Sequence, residues 1–364
     1  MPTIFIKDDF RAAVEAASGG RQTVLYTAQG QPSVMNIIPA FNVQDIDPSL
    51  GTGVHPAFVV GGVQKSQIFV GTYQGIAKNG ELLSLPGVDP SVSAGHDWFV
   101  NTARANGPGW HAITNTEWAA LALWCWKNGF QPRGNSNYGT SSDAPWETGR
   151  RQDGVAPGVT SGNARTLTGS GPASWRHDNT PSGISDLNGN IWEWTPGMRL
   201  VGGEIQIIPG NDAALNATDM SPTSSAWQAI DGSSGALVTP TFTGSIAGGD
   251  YVATTPNSVR YAASGTANYT LVRASGASFE GMTNPGSTPV AAAALSLLKQ
   301  YGLFPIAATG LGGDGFWSDV TGERLLFRGG LWSIGAVAGV FALLANTARS
   351  STGTTFGSRP CFYS

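Results

Sequence analysis

Residues 185–194 read SDLNGNIWEW, and residues 327–360 read FRGGLWSIGAVAGVFALLANTARSSTGTTFGSRP. The first stretch crowds Ser, Asp, Asn and Gly into its opening six positions. Such side chains bond nearby backbone and favour a tight turn, here feeding a strand at Trp192–Trp194. The second stretch is too glycine-rich for a helix and too irregular for a strand. Its glycines, Trp332, Phe341, Arg328 and Arg349 read as scaffold. Leu331, Ile334, Val337 and Leu344 lie scattered between them.

Working outward, residues 7–18 predict a short helix capped by Asp8 or Asp9 and ended by Gly19-Gly20. Residues 22–90 alternate short β-like runs (TVLY, FVV, IFVGTY, ELLSL) with Gly/Pro turns. The clearest helix is Asn115 to Lys127. It opens on the Thr114/Glu117 capping box and places Trp118, Leu121, Ala122, Cys125 and Trp126 on a buried face. Residues 131–183 are long irregular chain packed down by Trp146 and Trp175. GEIQII (203–208) predicts a strand. From about 209 to 310 Ala, Gly, Ser and Thr dominate, with one helical stretch at 291–302. This block reads as an insertion forming a peripheral lobe. The expected organisation is therefore a single domain over 1–364, with its core at about 22–208 and 311–364.

The 364 residues are 41% hydrophobic but only 12% charged, about half the usual share. Fifty glycines and twelve tryptophans suit a turn-rich fold with long ordered loops. A net charge of -4 without a Lys/Arg cluster argues against a nucleic-acid surface. No apolar run is long enough to span a membrane, so no membrane insertion is expected. The N-terminus does not read as a signal peptide. The expectation is synthesis in the cytoplasm, with a carrier route to any phage tail or cell surface.

The candidates for chemistry are sparse. His55, His96, His111 and His177 lack metal-ligand spacing and read as packed histidines. Cys125 lies on the apolar helix face, and Cys361 has no evident His partner for nucleophilic work. Asp186, Asn188, Asn190 and Glu193 are capable of offering oxygens to a structural Ca²⁺. The plainer expectation is a turn whose Asn/Asp side chains bond their own backbone. No metal site, cofactor or catalytic residue is expected. Phosphate loops, dinucleotide fingerprints and nucleophile elbows are absent.

Taken together, SDLNGNIWEW and the FRGG-W…ARS…FGSRP ending resemble formylglycine-generating-enzyme-like domains, a branch of the C-type lectin fold. VHPAF (54–58), GTYQG (71–75), GWHAITNTEWAALALWCWKNGF (109–130) and SGPASWRHD (170–178) extend the resemblance over most of 50–205 and 312–360. It implies an α+β, C-type-lectin-like fold: a small twisted antiparallel sheet with two helices and extensive ordered loops. The enzymes of this branch use two cysteines that fall, by register from Arg349, near Phe341 and Asn346. Neither position is Cys, so the oxidase reading is the alternative, and a structural phage or surface component a second one.

The closing segment is more similar to that of variable proteins of diversity-generating retroelements, including AGVFAL at 338–343. The resemblance implies that a retroelement rewrites adenines there, turning AAC codons into NNC. The implied variable slots are Leu331, Ser333, Ile334, Val337, Leu344, Asn346, Thr347, Ser351, Gly353 and Thr355. Every residue in them can be written by an NNC codon. Lys, Glu, Gln, Met and Trp cannot be, and none occurs there. The implied function is ligand binding without catalysis, with a hypervariable surface at about 328–358. Its aliphatic slots suit a protein ligand such as a cell-surface molecule.

Overall fold

The computed structural model describes residues 8–246, 250–273 and 278–364. The chain is a mixed α+β fold, mostly sheet, with few helices. Five α-helices occur among the described residues: α1 (Asp9–Ser18), α2 (Val43–Ile46), α3 (His96–Arg104), α4 (Asn115–Lys127) and α5 (Ala292–Gln300). The predicted N-terminal helix is α1. Asp8 caps it by accepting from the Arg11 N–H, and Gly19 ends it in the left-handed conformation. The expected start at Lys7 lies outside the described residues. The α4 capping box forms as read: the Thr114 hydroxyl accepts from Glu117 N, and the Glu117 carboxylate accepts from Thr114 N. Sequence reading missed α3, whose N-cap is Gly95 with no capping side chain.

Two sheets carry the architecture. One has five strands in the order Gln22–Tyr26, Pro32–Pro39, Gln67–Gly71, Pro360–Phe362, Trp110–Ala112. The last strand of the chain therefore lies between two early ones, tying the C-terminal segment down at its far end. The other sheet has eleven strands. At its centre Trp192–Val201 pairs antiparallel with Glu204–Ile207 on one side and with Glu323–Gly329 on the other. Gly339–Thr347 comes next, then Phe316–Ser318 in parallel. The expectation of a small, twisted antiparallel sheet with two helices is corrected on size and helix count, and the larger sheet adds parallel pairings to its antiparallel centre.

The two faces of this larger sheet pack differently. On one, Leu343 and Phe316 join a core built with Trp118, Leu121 and Leu123 of α4. On the other, Trp194, Phe327 and Ala342 cluster with Phe99 and Ala103 of α3. Alternation along a strand sends successive side chains to opposite faces, which is how Leu343 and Leu344 part company.

The 209–310 block is not a lobe set apart. Its strands Gln228–Ile230, Arg260–Ala262, Thr270–Arg273 and Met282–Thr283 extend the central sheet outward from Glu204–Ile207. Ile230, Tyr261, Leu271, Phe279, Leu298 and Leu303 share one core with α4. Polar ties add to this: Asn115 Nδ2 donates to Tyr301 O at 2.9 Å, and Arg328 Nη2 donates to Gly302 O at 2.8 Å. The expectation of a peripheral insertion is corrected accordingly. Low aromatic content concealed a set of well-spaced core residues whose partners lie far away in sequence.

Candidate ligand-binding surface

The signature turn is the foundation of the site, because the closing segment is bonded to it. Asp186 and Asn190 both take positive φ, at 59° and 64°. This is a conformation that Asn and Asp tolerate better than most residues. Asn190 Oδ1 accepts from Thr166 N at 2.7 Å, and its Nδ2 donates to Gln74 Oε1 at 2.7 Å. Gln74 Nε2 in turn donates to Glu193. Glu193 is fully buried and pairs through both carboxylate oxygens with the buried Arg359 guanidinium. Asp186 Oδ2 accepts from Gly169 N. Asp186 Oδ2, Asn190 Oδ1 and both Glu193 oxygens are thus engaged by protein donors, while Asn188 Oδ1 receives none.

The closing segment is pinned at intervals to this frame. Arg328 is buried, and its guanidinium donates to Asn115 Oδ1 through Nε and Nη2. Burial lowers its pKa to about 10. Gly329 and Gly330 come next at φ 90° and 99°, and a Cβ at Gly330 would stand 2.7 Å from that of Ala338. Trp332 is buried against Ala164 and Ile191. Its N–H donates to Asn190 O at 3.2 Å, and its carbonyl accepts from Tyr138 N at 2.7 Å. Phe341 is buried in the α4-side core. Arg349 grips Glu323 through two bonds, of 3.0 and 2.8 Å, and reaches Asp97 at 2.7 Å. Burial alone would raise Glu323, but its bonds to Arg349 and Arg199 outweigh it and hold the carboxyl below its ordinary range.

The proposed slots project from between these anchors. Ser333, Val337 and Asn346 are exposed. Leu331, Ile334 and Leu344 are partly buried and lie together on the α3 side of the central sheet, packed against the cluster of Trp192, Trp194 and Phe327. Ser351, Gly353 and Thr355 are also partly buried. Two of these are constrained: a Cβ at Gly353 would press on the Phe356 ring at 3.1 Å, and Thr355 offers its carbonyl to Trp192 N.

Thr347 is a correction. It is buried and pairs with Leu325 of the neighbouring strand. Alternation runs unbroken along the end of Gly339–Thr347: Leu343, Ala345 and Thr347 are buried, while Leu344 and Asn346 between them are not.

Two aromatics that sequence reasoning left unassigned complete the surface. Trp317 is partly buried, edge-on to Trp192 with ring centres 5.8 Å apart. Phe356 packs on Phe327 at 4.4 Å. Trp317, Leu331, Ile334, Leu344 and Phe356 all rest on the same buried cluster. The signal for Trp317 was its place in GGDGFWSDV beside the resumed motif, and for Phe356 its place next to Gly357 in the closing segment.

Neither cysteine offers a nucleophile at this surface. Both are free and fully buried, and burial pushes both thiols up. His111 Nε2 lies 2.8 Å from Glu117 Oε1, with Cys361 beside them. Glu117 also accepts from Thr114 N and Asn211 Nδ2, so this buried group is an internal hydrogen-bond network at the α4 N-terminus. No protein-family model and no curated protein matches the chain.

Proposed function

We propose that the chain is a ligand-binding protein with a C-type-lectin-like core, a variable protein of the diversity-generating-retroelement kind. Its binding surface is the slot-bearing part of 328–358. The observation that carries this reading is the separation within one short segment. Arg328, Trp332, Phe341 and Arg349 are tied into the frame, while Leu331, Ser333, Ile334, Val337, Leu344 and Asn346 reach the surface between them.

A surface of that kind tolerates exchange, because residues outside the core contribute little to stability. It also binds at low entropic cost, since its backbone is already ordered. The aliphatic slots beside Trp317 and Phe356 suit a protein ligand, since buried aromatic anchors carry much of the energy of such interfaces and apolar neighbours exclude water around them. A cell-surface molecule is the partner this reading assigns. The oxidase alternative finds no support in the thiols: positions 341 and 346 are Phe and Asn, and both cysteines are buried away from the surface.

The test is genetic and direct. The coding DNA is sequenced with its flanks, and the closing segment is resequenced from many independent clones of the source population. The reading expects a near-identical repeat differing at adenines, with amino-acid variation confined to the slots other than Thr347. An invariant segment with no such repeat would refute it.

A further inference from the structure

A second site lies on the other side of the closing segment, and none of the ten slots lines it. It is a partly enclosed pocket of about 330 Å³. Its walls include Trp126, Phe130 and Phe341, with Ala336 and Ala338 beside them and Asn188 and Asp314 as polar members. Asp314 is 5% exposed and forms no ion pair among the described residues. Its Oδ2 accepts from Phe341 N at 2.7 Å. A Cβ at residue 339 would fall 2.1 Å from Asp314 Oδ1, so glycine there makes room for the carboxylate. Asn188 is likewise buried: its Nδ2 donates to Pro132 O at 3.0 Å, while its Oδ1 receives no donor.

The charges around this pocket do not balance. Arg133 also lines it, but its guanidinium is spent on Glu147, with Nε 2.9 Å from Oε2. Asp143 lines it too, and Glu280 acts on Asp314 from the neighbouring turn. Burial pushes the Asp314 carboxyl well above its usual range, as expected for a carboxylate without a counter-charge. A buried acid and a buried unpaired amide oxygen, set among aromatic rings, are complementary to a cation with N–H donors. An inorganic ion fits less well: a hard divalent cation wants six or more oxygens, whereas this wall is largely aromatic and aliphatic.

We propose that this pocket binds a protonated organic amine or guanidinium, with Asp314 as counter-ion, Asn188 as a neutral acceptor and the aromatic wall against the cation. The group comes either from a free small molecule or from a Lys or Arg side chain of a partner. None of the ten slots contributes to it, so it stands apart from the proposed binding surface.

Calorimetric titration tests it with five probes: agmatine, acetyl-Gly-Arg-Gly-amide, acetyl-Gly-Lys-Gly-amide, the citrulline peptide acetyl-Gly-Cit-Gly-amide, and calcium chloride. The proposal expects binding of at least one cationic probe, at least about tenfold tighter than the citrulline peptide. Agmatine alone binding identifies a small-molecule source, and a peptide binding identifies a side chain. Asp314→Asn keeps an acceptor for Phe341 N and should weaken binding about tenfold or more. Ala336→Trp, which fills the exposed mouth, should abolish binding with the melt unchanged. If Asp314→Asn does not fold, Ala336→Trp carries the decision. Equal binding of the citrulline peptide, binding of calcium alone, no binding by any cation, or full binding to Ala336→Trp would each overturn the proposal.

Discussion

The turn at 185–194 and the loops of 331–355 on either side of the strand Gly339–Thr347 are both irregular chain, but they hold their side chains in opposite ways. In the turn, Asp186, Asn190 and Glu193 point inward, and protein donors engage each of them. In the closing segment the anchors and small strand residues such as Ala342 and Ala345 point inward, and nine of the ten slots stand partly or wholly free. Irregular backbone therefore does not by itself mark a functional loop. What distinguishes the two is where the hydrogen bonds go. The turn consumes its polar groups in building the frame, and the closing segment leans on that frame through Trp332 N–H to Asn190 O. If this division is real, damage to the frame and damage to the surface should differ greatly in cost.

The largest effect should come from removing part of the frame itself. Replacing residues 211–310 by a short Gly/Ser linker takes away Leu298, Tyr301 and Leu303 from the α4 core, and Gly302 O from Arg328. The expected outcome is loss of cooperative thermal unfolding. A truncated chain melting sharply near the wild-type temperature would instead restore the peripheral-lobe picture.

Next come the buried anchors. Glu193→Ala leaves Arg359 as an uncompensated buried charge, an effect typically worth about 3–5 kcal/mol. Trp332→Ala should cost a similar amount, about 3–5 kcal/mol, through the cavity it opens. Chemical denaturation of both variants measures these values. A loss under about 1 kcal/mol for both would mean that the turn and its Trp332 tie do not hold the segment.

A pH scan separates frame from surface without any mutation, because none of the ten slots titrates. Two buried histidines of the frame are held neutral. His55 Nδ1 accepts from Ala57 N while Nε2 meets Gln300 O, and His177 Nδ1 accepts from Ile184 N. Burial lowers each to about 4. A depressed folded-state pKa means that stability is fully present above about 6.5. It is lost as pH falls toward 4, where the unfolded chain takes up protons that the fold refuses. The loss is up to about 3 kcal/mol per histidine. The melting temperature should therefore fall steadily between pH 6.5 and 4, and His55→Gln should flatten part of that slope. A melt independent of pH across this window would contradict the burial of both rings.

Much of the frame was legible because its signals are local. The Thr114/Glu117 capping box set α4 to its ends, and Asp8 with Gly19 bounded α1. Helix α3 escaped because Gly95 gives no capping signal and exposed Trp98 interrupts its apolar pattern. The 209–310 block was misread for a deeper reason. Tyr261, Phe279 and Leu298 look sparse along the chain, and only the pairing of distant strands brings them into one core. At the surface, the interleaving of anchors and slots came from the family resemblance, and that Leu331, Ile334 and Leu344 pack on one buried cluster was not legible in the sequence. Thr347 was misplaced because the segment did not read as a strand, and strand alternation turns Asn346 out and its neighbour Thr347 in. Asp314, buried and flanked by glycines, gave no hint that a pocket would form around it.

The smallest effect should come from the most exposed slots. Ser333, Val337 and Asn346 are the exposed slots, and Asn346 Oδ1 accepts from its neighbour Thr347. The triple variant Ser333→Tyr, Val337→Asn, Asn346→Tyr uses residues that NNC codons can write. Each exchange should stay within about 0.5 kcal/mol. The half-buried Leu331, Ile334 and Leu344 are expected to be intermediate, since each covers part of the Trp192 and Phe327 cluster. Changing one of them to Ser should cost about 1 kcal/mol, less than a fully buried aliphatic. A graded ladder of melts, from Trp332→Ala through Leu344→Ser to the triple variant, is what a frame with a separable surface requires. If the triple variant unfolds as early as Trp332→Ala, those exposed positions are coupled to folding. The segment could then not be rewritten without unfolding the protein, and the binding-surface reading would lose its physical basis.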